Sequence, residues 1–174
     1  MEKLYITYNQ IHETVKSLSQ EIISADFKPD LIIAIGTGGF IPARMIKTYL
    51  NRSIQTVGIA YYDLNNIPSE KPVITQWLDG ADEKLKGKKI LLVDEVDDSR
   101  ATIGFCLEEL QKHDPEEIAV MVIHNKKKKK AREIPPQIRH YFIGENFDDQ
   151  WICYPWDAEN IAEHDSLSLQ AGLE

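Results

Sequence analysis

Between Asp94 and Asp98 the chain sets four acids in five positions, Asp94, Glu95, Asp97 and Asp98, and follows them with Ser99, Arg100, Ala101 and Thr102. Carboxylates this close repel one another unless a cation or a hydrogen-bonding ligand answers them, so the string points to a ligand. Asp94 and Glu95 can accept hydrogen bonds from sugar hydroxyls or face a divalent metal ion. The run Asp98 to Thr102 supplies backbone amides and the Ser99 and Thr102 hydroxyls, which donate to phosphate oxygens. A ligand with a ribose at one end and a 5′-phosphate at the other fits both halves. The plainer alternative is an acidic turn in which Asp98 or Ser99 caps a helix.

Both readings need the same elements beneath them. Ile90-Leu91-Leu92-Val93, behind Gly87-Lys88-Lys89, reads as a strand buried on both faces. Thr102 to Lys112 carries Ile103, Cys106, Leu107 and Leu110 on one helical stripe. The acids therefore fall on a loop between the carboxyl end of a parallel strand and a helix N-terminus, where open α/β sheets bind ligands. A second unit has the same form. Leu31 to Ile35 is an apolar strand, Gly36-Thr37-Gly38-Gly39 a loop that lets backbone approach a ligand, and Ile41 to Leu50 a helix with Pro42 in its first turn. Ile41 stands where a dinucleotide fingerprint needs its third glycine, and no Walker A pattern is present.

The remaining chain is read in order. Tyr5 to Tyr8 is a short strand, and Asn9 caps a helix carrying Ile11, Val15, Leu18, Ile22 and Ile23. Ile54 to Ala60 is a strand, Tyr61 to Pro72 a polar loop, and Val73 to Trp77 a hairpin arm. Glu117 to His124 is another buried strand and runs through Asn125 into five lysines, Lys126 to Lys130, by default a solvated, self-repelling run. Tyr141 to Gly144 is a short strand. Trp151 offers a flat face on which a base gains ~1–3 kcal/mol by stacking, with the Ile152 backbone placed to read its edge. A C-terminal helical piece, Ile161 to Leu173, is peripheral.

The acidic string resembles the phosphoribosyl-pyrophosphate (PRPP) signature of the type I phosphoribosyltransferases, with Arg100 and Ala101 where that family often has glycine. The Trp-Ile-x-x-Pro-Trp-Asp string at Trp151 to Asp157 resembles the base-binding hood of microbial 6-oxopurine phosphoribosyltransferases. The resemblance implies an α/β fold, a twisted, mainly parallel sheet flanked by helices, with a small C-terminal hood. It implies one domain over 1–174, with a core at about 28–125 and a hood from 1–10 and 126–160. It also implies transfer of 5-phosphoribose from PRPP to N9 of hypoxanthine, guanine or xanthine, with Mg²⁺.

Site roles carry over residue by residue. Asp94 and Glu95 bind ribose and metal, with Asp157 either the cap of the next helix or a further metal or purine-pocket candidate. Asp98, Ser99, Arg100, Ala101 and Thr102 bind the 5′-phosphate, and Asp98 is also the candidate general base, its pKa raised beside the phosphate loop. Thr37, Gly38 and Gly39 form the pyrophosphate loop, in which Thr37 occupies a position often basic in relatives, so that Arg44 or Lys47 is the nearest cation. Lys126, or Lys127 in the neighbouring register, donates to the purine 6-oxo group, with Trp151 and Ile152 completing the base site. Tyr61, Tyr62 and Lys71 are candidate contacts of a mobile lid. The resemblance implies a homodimer or homotetramer.

Composition bounds the alternatives. The 174 residues suffice for one core, and 43% hydrophobic with 28% charged residues is ordinary for a globular chain. A net charge of −8 disfavours nucleic acid or an anionic membrane as partner. Two cysteines without ligand or disulfide spacing, no signal-like N-terminus and no apolar run of spanning length lead us to expect a cytoplasmic protein. A non-catalytic PRPP-sensing regulator is a second reading, disfavoured by the same charge. A pyrimidine or adenine phosphoribosyltransferase is a third. A phosphate-receiver domain is a fourth, but it needs an acceptor Asp where His124 stands.

Overall fold

The computed structural model describes residues 2–62 and 68–171. A six-stranded sheet is built from β2 (Leu31–Gly36), β3 (Ser53–Tyr62), β4 (Pro68–Gln76), β5 (Lys89–Asp97), β6 (Glu117–Lys126) and β7 (Tyr141–Phe147), in the order β4-β3-β2-β5-β6-β7. All neighbours are parallel except β4, which pairs antiparallel with β3 at one edge. The helices are α1 (Tyr8–Ser24), α2 (Phe40–Leu50), α3 (Ala81–Leu85), α4 (Ala101–Gln111) and α5 (Ile161–Ala171).

Strand side chains alternate between faces, and the two cores follow that alternation. Ile32, Ala34, Leu91, Val93, Ala119, Met121 and Ile123 pack with α1 and α2 on one side. Ile33, Ile35, Ile90, Leu92, Val120 and Val122 pack with α3 and α4 on the other. The chain leaves β2 through α2 toward β3, and leaves β5 through α4 toward β6, in opposite directions. The sheet order therefore reverses between β2 and β5, which opens a crevice at their carboxyl ends. The two loops singled out from the sequence flank that crevice.

The hood uses both ends of the described chain. β1 (Lys3–Tyr5) pairs parallel with β8 (Trp151–Cys153) in a separate two-stranded sheet, and a 3₁₀ turn over Pro155–Asp157 follows.

Several expectations are corrected. The opening strand ends at Tyr5, and Thr7 rather than Asn9 caps α1: its hydroxyl accepts from Gln10 N while the Gln10 side chain accepts from Thr7 N, a capping box. β3 runs to Tyr62 and β4 starts at Pro68, so most of the polar stretch is a hairpin. Positions 63–67 of the expected lid, and the side chains of Tyr61, Tyr62 and Lys71, lie outside the described residues. α5 lies at the periphery, as expected, and is tied to the hood by one buried residue. Its His164 is buried, shares a hydrogen bond of 2.8 Å between Nε2 and the Ile6 carbonyl, and meets Tyr5 edge-on.

Candidate active site

The acids do not begin a loop. β5 continues through them, pairing Asp94 with Val122, Val96 with His124 and Asp97 with Asn125. Extended backbone starts successive side chains toward opposite faces, yet the two carboxyls stay close enough to interact. Asp94 shares the parity of Leu92 and is buried. Glu95 shares the parity of Val93, on the side of α2, and its carboxylate lies against Gly38, where a Cβ would fall on it. The Gly loop and the acidic strand thus touch across the crevice. Burial, then the neighbouring Glu95 charge, push the Asp94 carboxyl well above its ordinary value. Such a pair favours an added cation.

Asp97 is the acid the sequence left without a role. It is wholly buried, and its carboxylate accepts from Arg100 Nε at 2.9 Å and Tyr141 O–H at 2.6 Å, with Lys130 Nζ 3.3 Å away. Only the fold brings together residues so far apart in sequence. Arg100 takes a left-handed conformation, φ 63°, at the position where a capping residue would sit, and turns its side chain back to Asp97. Neither Asp98 nor Ser99 caps α4 through the usual bond. Ser99 Oγ accepts from Ala101 N at 3.3 Å, and no side chain caps the helix. Arg100 therefore enters the phosphate loop by backbone alone, and the α4 N-terminus keeps its partial positive charge for an anion. Asp94, Glu95, Asp98, Ser99, Arg100, Ala101 and Thr102 line a cavity of about 200 Å³ there.

Across the crevice, Thr37 joins Gly36 through a cis peptide, and α2 begins at Phe40, also with no side-chain cap. Arg44 donates to Thr48 Oγ1 and Lys47 to the Arg52 carbonyl, so both cations lie along α2 rather than in the loop. What the loop offers an anion is backbone and helix N-terminus.

Lys126 ends β6, buried, with Nζ 3.4 Å from Asp98 and 3.9 Å from Asp149. Lys127 is exposed and its N–H donates to the Phe147 carbonyl, so Lys126 holds the register facing Asp98. The lysine run is not uniformly solvated. Lys128 reaches Asp98 at 2.8 Å and Asp149 at 2.9 Å, and Lys130 reaches Asp97, while Lys127 and Lys129 are exposed. The Asp98 carboxyl is correspondingly shifted down, not up. Burial raises it, but the hydrogen bond from Lys128 and the charge of Lys126 outweigh burial.

On the hood, Trp151 is 59% exposed, a large aromatic face left open. Trp151 N donates to the Glu2 carbonyl and Cys153 O accepts from Ile6 N, so Ile152 between them turns its own N–H and C=O to the unpaired edge of β8. Tyr154 stacks on Trp156 at 4.5 Å, donates its hydroxyl to the Glu95 carbonyl at 3.3 Å, and sits 2.8 Å from His124 Nδ1. With that hydroxyl proton committed to Glu95, His124 is the donor of the second bond, consistent with a neutral ring whose pKa burial lowers to about 4. Asp157 does not cap α5, where Asn160 accepts from Glu163 N at 3.3 Å. It lines a hood cleft of about 620 Å³ with Trp151 and Ile152, away from the cavity at Asp94–Thr102. Among the described residues no three His, Cys, Asp or Glu side chains converge as a metal cluster.

This crevice can hold a phosphate at the α4 N-terminus and sugar hydroxyls at Asp94 and Glu95. The phosphoribosyl transferase domain family model matches residues 7–158. The hypoxanthine-guanine phosphoribosyltransferase of Schizosaccharomyces pombe is 40% identical, over 98% of this chain and 96% of its own. Xanthine phosphoribosyltransferase 1 of Saccharomyces cerevisiae is 39% identical over 98% and 97%. The crystal structure of a hypothetical protein from Neisseria gonorrhoeae with bound ppGpp superposes with a TM-score of 0.90 at 48% identity, over 98% of this chain and 97% of that one. The chain belongs to the phosphoribosyl transferase domain family.

Proposed function

We propose that the crevice between β2 and β5 carries out purine salvage with the residue roles set out here. The reaction moves 5-phosphoribose from PRPP to N9 of a 6-oxopurine and yields a nucleoside 5′-monophosphate and pyrophosphate. The observation that carries the reading is that Lys126 and the uncapped α4 N-terminus meet at Asp98. That arrangement sets a cation suited to a purine oxo group beside a loop suited to a phosphate.

The 5′-phosphate sits on the backbone of Asp98 to Thr102, with the Ser99 and Thr102 hydroxyls donating. Asp94 and Glu95 accept from the ribose hydroxyls and favour the positive charge that develops at C1′ as the bond to pyrophosphate breaks. The N9 lone pair forms the new bond to C1′, and the base gives up its imidazole proton. The Asp98 carboxylate, kept ionised by the lysines beside it, accepts that proton as the new bond forms and returns it to solvent when the nucleotide leaves. The Lys126 ammonium only donates, so it selects an oxo group over an amino group. Trp151 stacks on the purine, and the free Ile152 backbone edge reads its rim.

The donor set fits Mg²⁺. Burial, and then repulsion from the neighbouring Glu95 carboxylate, raise the Asp94 pKa; a cation relieves that repulsion, and Mg²⁺ prefers such oxygen ligands together with water and phosphate. Asp94 and Glu95 would hold it, with Asp157 the hood candidate, and Thr37, Gly38 and Gly39 would receive the pyrophosphate. The bound ion would neutralise the leaving group. The proposal takes 1–174 as one domain, assembling as a homodimer or homotetramer in the cytoplasm. No helix of the described residues is long and apolar enough to cross a membrane.

The test is pyrophosphate release from PRPP and Mg²⁺ with hypoxanthine, guanine, xanthine, adenine, uracil and orotate supplied singly, by wild type and Lys126→Ala. Turnover confined to 6-oxopurines, with weaker purine binding and poorer rejection of adenine in the variant, is expected. PRPP binding without turnover on any base would leave the regulator reading. The Neisseria neighbour favours a second role for the same site. ppGpp carries a guanine, a ribose and a 5′-diphosphate, the groups the crevice is proposed to hold, so we expect ppGpp to inhibit competitively with PRPP. Inhibition independent of PRPP concentration refutes that role.

A further inference from the structure

The segment after β6 follows the phosphate loop and the start of α4 residue by residue. Lys128 Nζ meets the Asp98 carboxylate at 2.8 Å. Lys130 Nζ donates to the Asp97 carbonyl at 2.6 Å, the Asp98 carbonyl at 2.9 Å and Asn125 Oδ1 at 2.9 Å. Ala131 N donates to the Ser99 carbonyl at 2.8 Å. Arg132 pairs with Glu108, lies over the Phe105 ring, and fills the space that a side chain at Gly104 would need. Four consecutive contacts thus run from the strand end to the second turn of α4.

These contacts take up the carbonyls of the loop from outside. A carbonyl held by a cation fixes its peptide plane, and with it the direction of the amide on the other side of that plane. Holding the Asp97, Asp98 and Ser99 carbonyls outward therefore aims the following amides, of Asp98, Ser99 and Arg100, inward to the cavity. A loop of glycines could adopt such a path unaided. This loop has Arg100 at positive φ and Ala101 instead, so it needs an outside hold.

We infer that residues 128–132 form a strap that sets the 5′-phosphate loop from behind, with Lys130 as its central positioning residue. The inference rests on the 5′-phosphate being bound at Asp98 to Thr102. Lys130 touches no substrate in this account and acts through the loop carbonyls. Its loss should therefore be felt by ligands that carry the 5′-phosphate and not by the free base.

Lys130→Met keeps the aliphatic stem and removes the donors. Arg132→Ala loosens the far end of the strap without touching the buried Asp97. Lys129→Met, exposed between them, is the control. Two measurements are made: amide hydrogen exchange over 98–104, and PRPP and nucleoside monophosphate affinity together with kcat. For Lys130→Met we expect faster exchange at 98–104 and about a tenfold rise in the PRPP KM and monophosphate Kd, from loss of charge-assisted hydrogen bonds, with kcat within about twofold. Arg132→Ala should move both readouts the same way by less, and Lys129→Met should move neither. Unchanged exchange in folded Lys130→Met overturns the inference. So does faster exchange with unchanged affinity, or a fall in kcat with KM constant. If Lys130→Met does not fold, Arg132→Ala decides by the same two readouts. Wild type that binds neither PRPP nor monophosphate overturns the site assignment itself, an outcome distinct from variants failing beside a binding wild type.

Discussion

Gly38 and Gly39 are neighbours in one loop, yet alanine should do opposite things to them. The three atoms nearest a Cβ at Gly38 all belong to the Glu95 carboxylate, the far end of a flexible side chain. A Cβ at Gly39 comes within 2.6 Å of the Ile35 and Val93 carbonyl oxygens, the backbone of two central strands. Neither glycine has the positive φ that would strain an alanine, so the effects are steric. Gly38→Ala can be relieved by rotating Glu95, and should change stability by less than about 1 kcal/mol. The rotated carboxylate then leaves the place where it would face ribose and metal. Losing one such electrostatic contact lowers kcat/KM about 10²-fold, or ~2.7 kcal/mol of transition-state stabilisation. Gly39→Ala has no flexible partner to displace and should cost about 3 kcal/mol of stability, a fall in Tm of roughly 6–12 °C for a chain of this size. Thermal unfolding and pyrophosphate release, run on both variants, check the pair. Equal losses of Tm, or full activity in Gly38→Ala, would refute the claim that Glu95 and the Gly loop share one functional position.

Asp98→Asn should lower turnover strongly while PRPP affinity stays nearly intact, since in the proposed site Asp98 meets the phosphate by its backbone and the base by its carboxylate; equal loss of both in steady-state kinetics would make the residue structural. His124 gives a pH prediction. Its folded pKa, about 4, lies below the ordinary 6.5, so the unfolded chain binds the extra proton first. Its contribution is full above about pH 6.5 and is lost as pH falls toward 4, in total about 3 kcal/mol. Urea unfolding between pH 7 and 4 should show the decline, and His124→Phe should flatten it; an unchanged slope in that variant would assign the acid sensitivity elsewhere.

The legible parts of this protein were those set by local pattern. The apolar runs at Ile90–Val93 and Leu31–Ile35 announce strands buried on both faces, and Ile103, Cys106, Leu107 and Leu110 announce the stripe of α4, all of them buried. What escaped depends on partners far apart in sequence. Asp97 looks like one more ligand-facing acid until Arg100, Tyr141 and Lys130 converge on it. The lysine run reads as solvated because its period of two carries no signal without the acids opposite. Asn9 is the stronger cap by residue type, but Gln10 three residues beyond Thr7 completes a capping box that makes Thr7 the cap. Tyr154 gave no sign at all that it would bridge the hood to Glu95.

The pairing of Lys3 with Trp151 also dictates an order of assembly during synthesis. β1 leaves the ribosome first, but its partner strand emerges only after the whole parallel sheet. The sheet, with its phosphate cradle, can close on local crossovers while β1 waits without a partner. On the proposed roles, base recognition is the last competence the nascent chain acquires. A chain arrested before β8 would have its sugar-phosphate half in place and no roof under which to hold a purine.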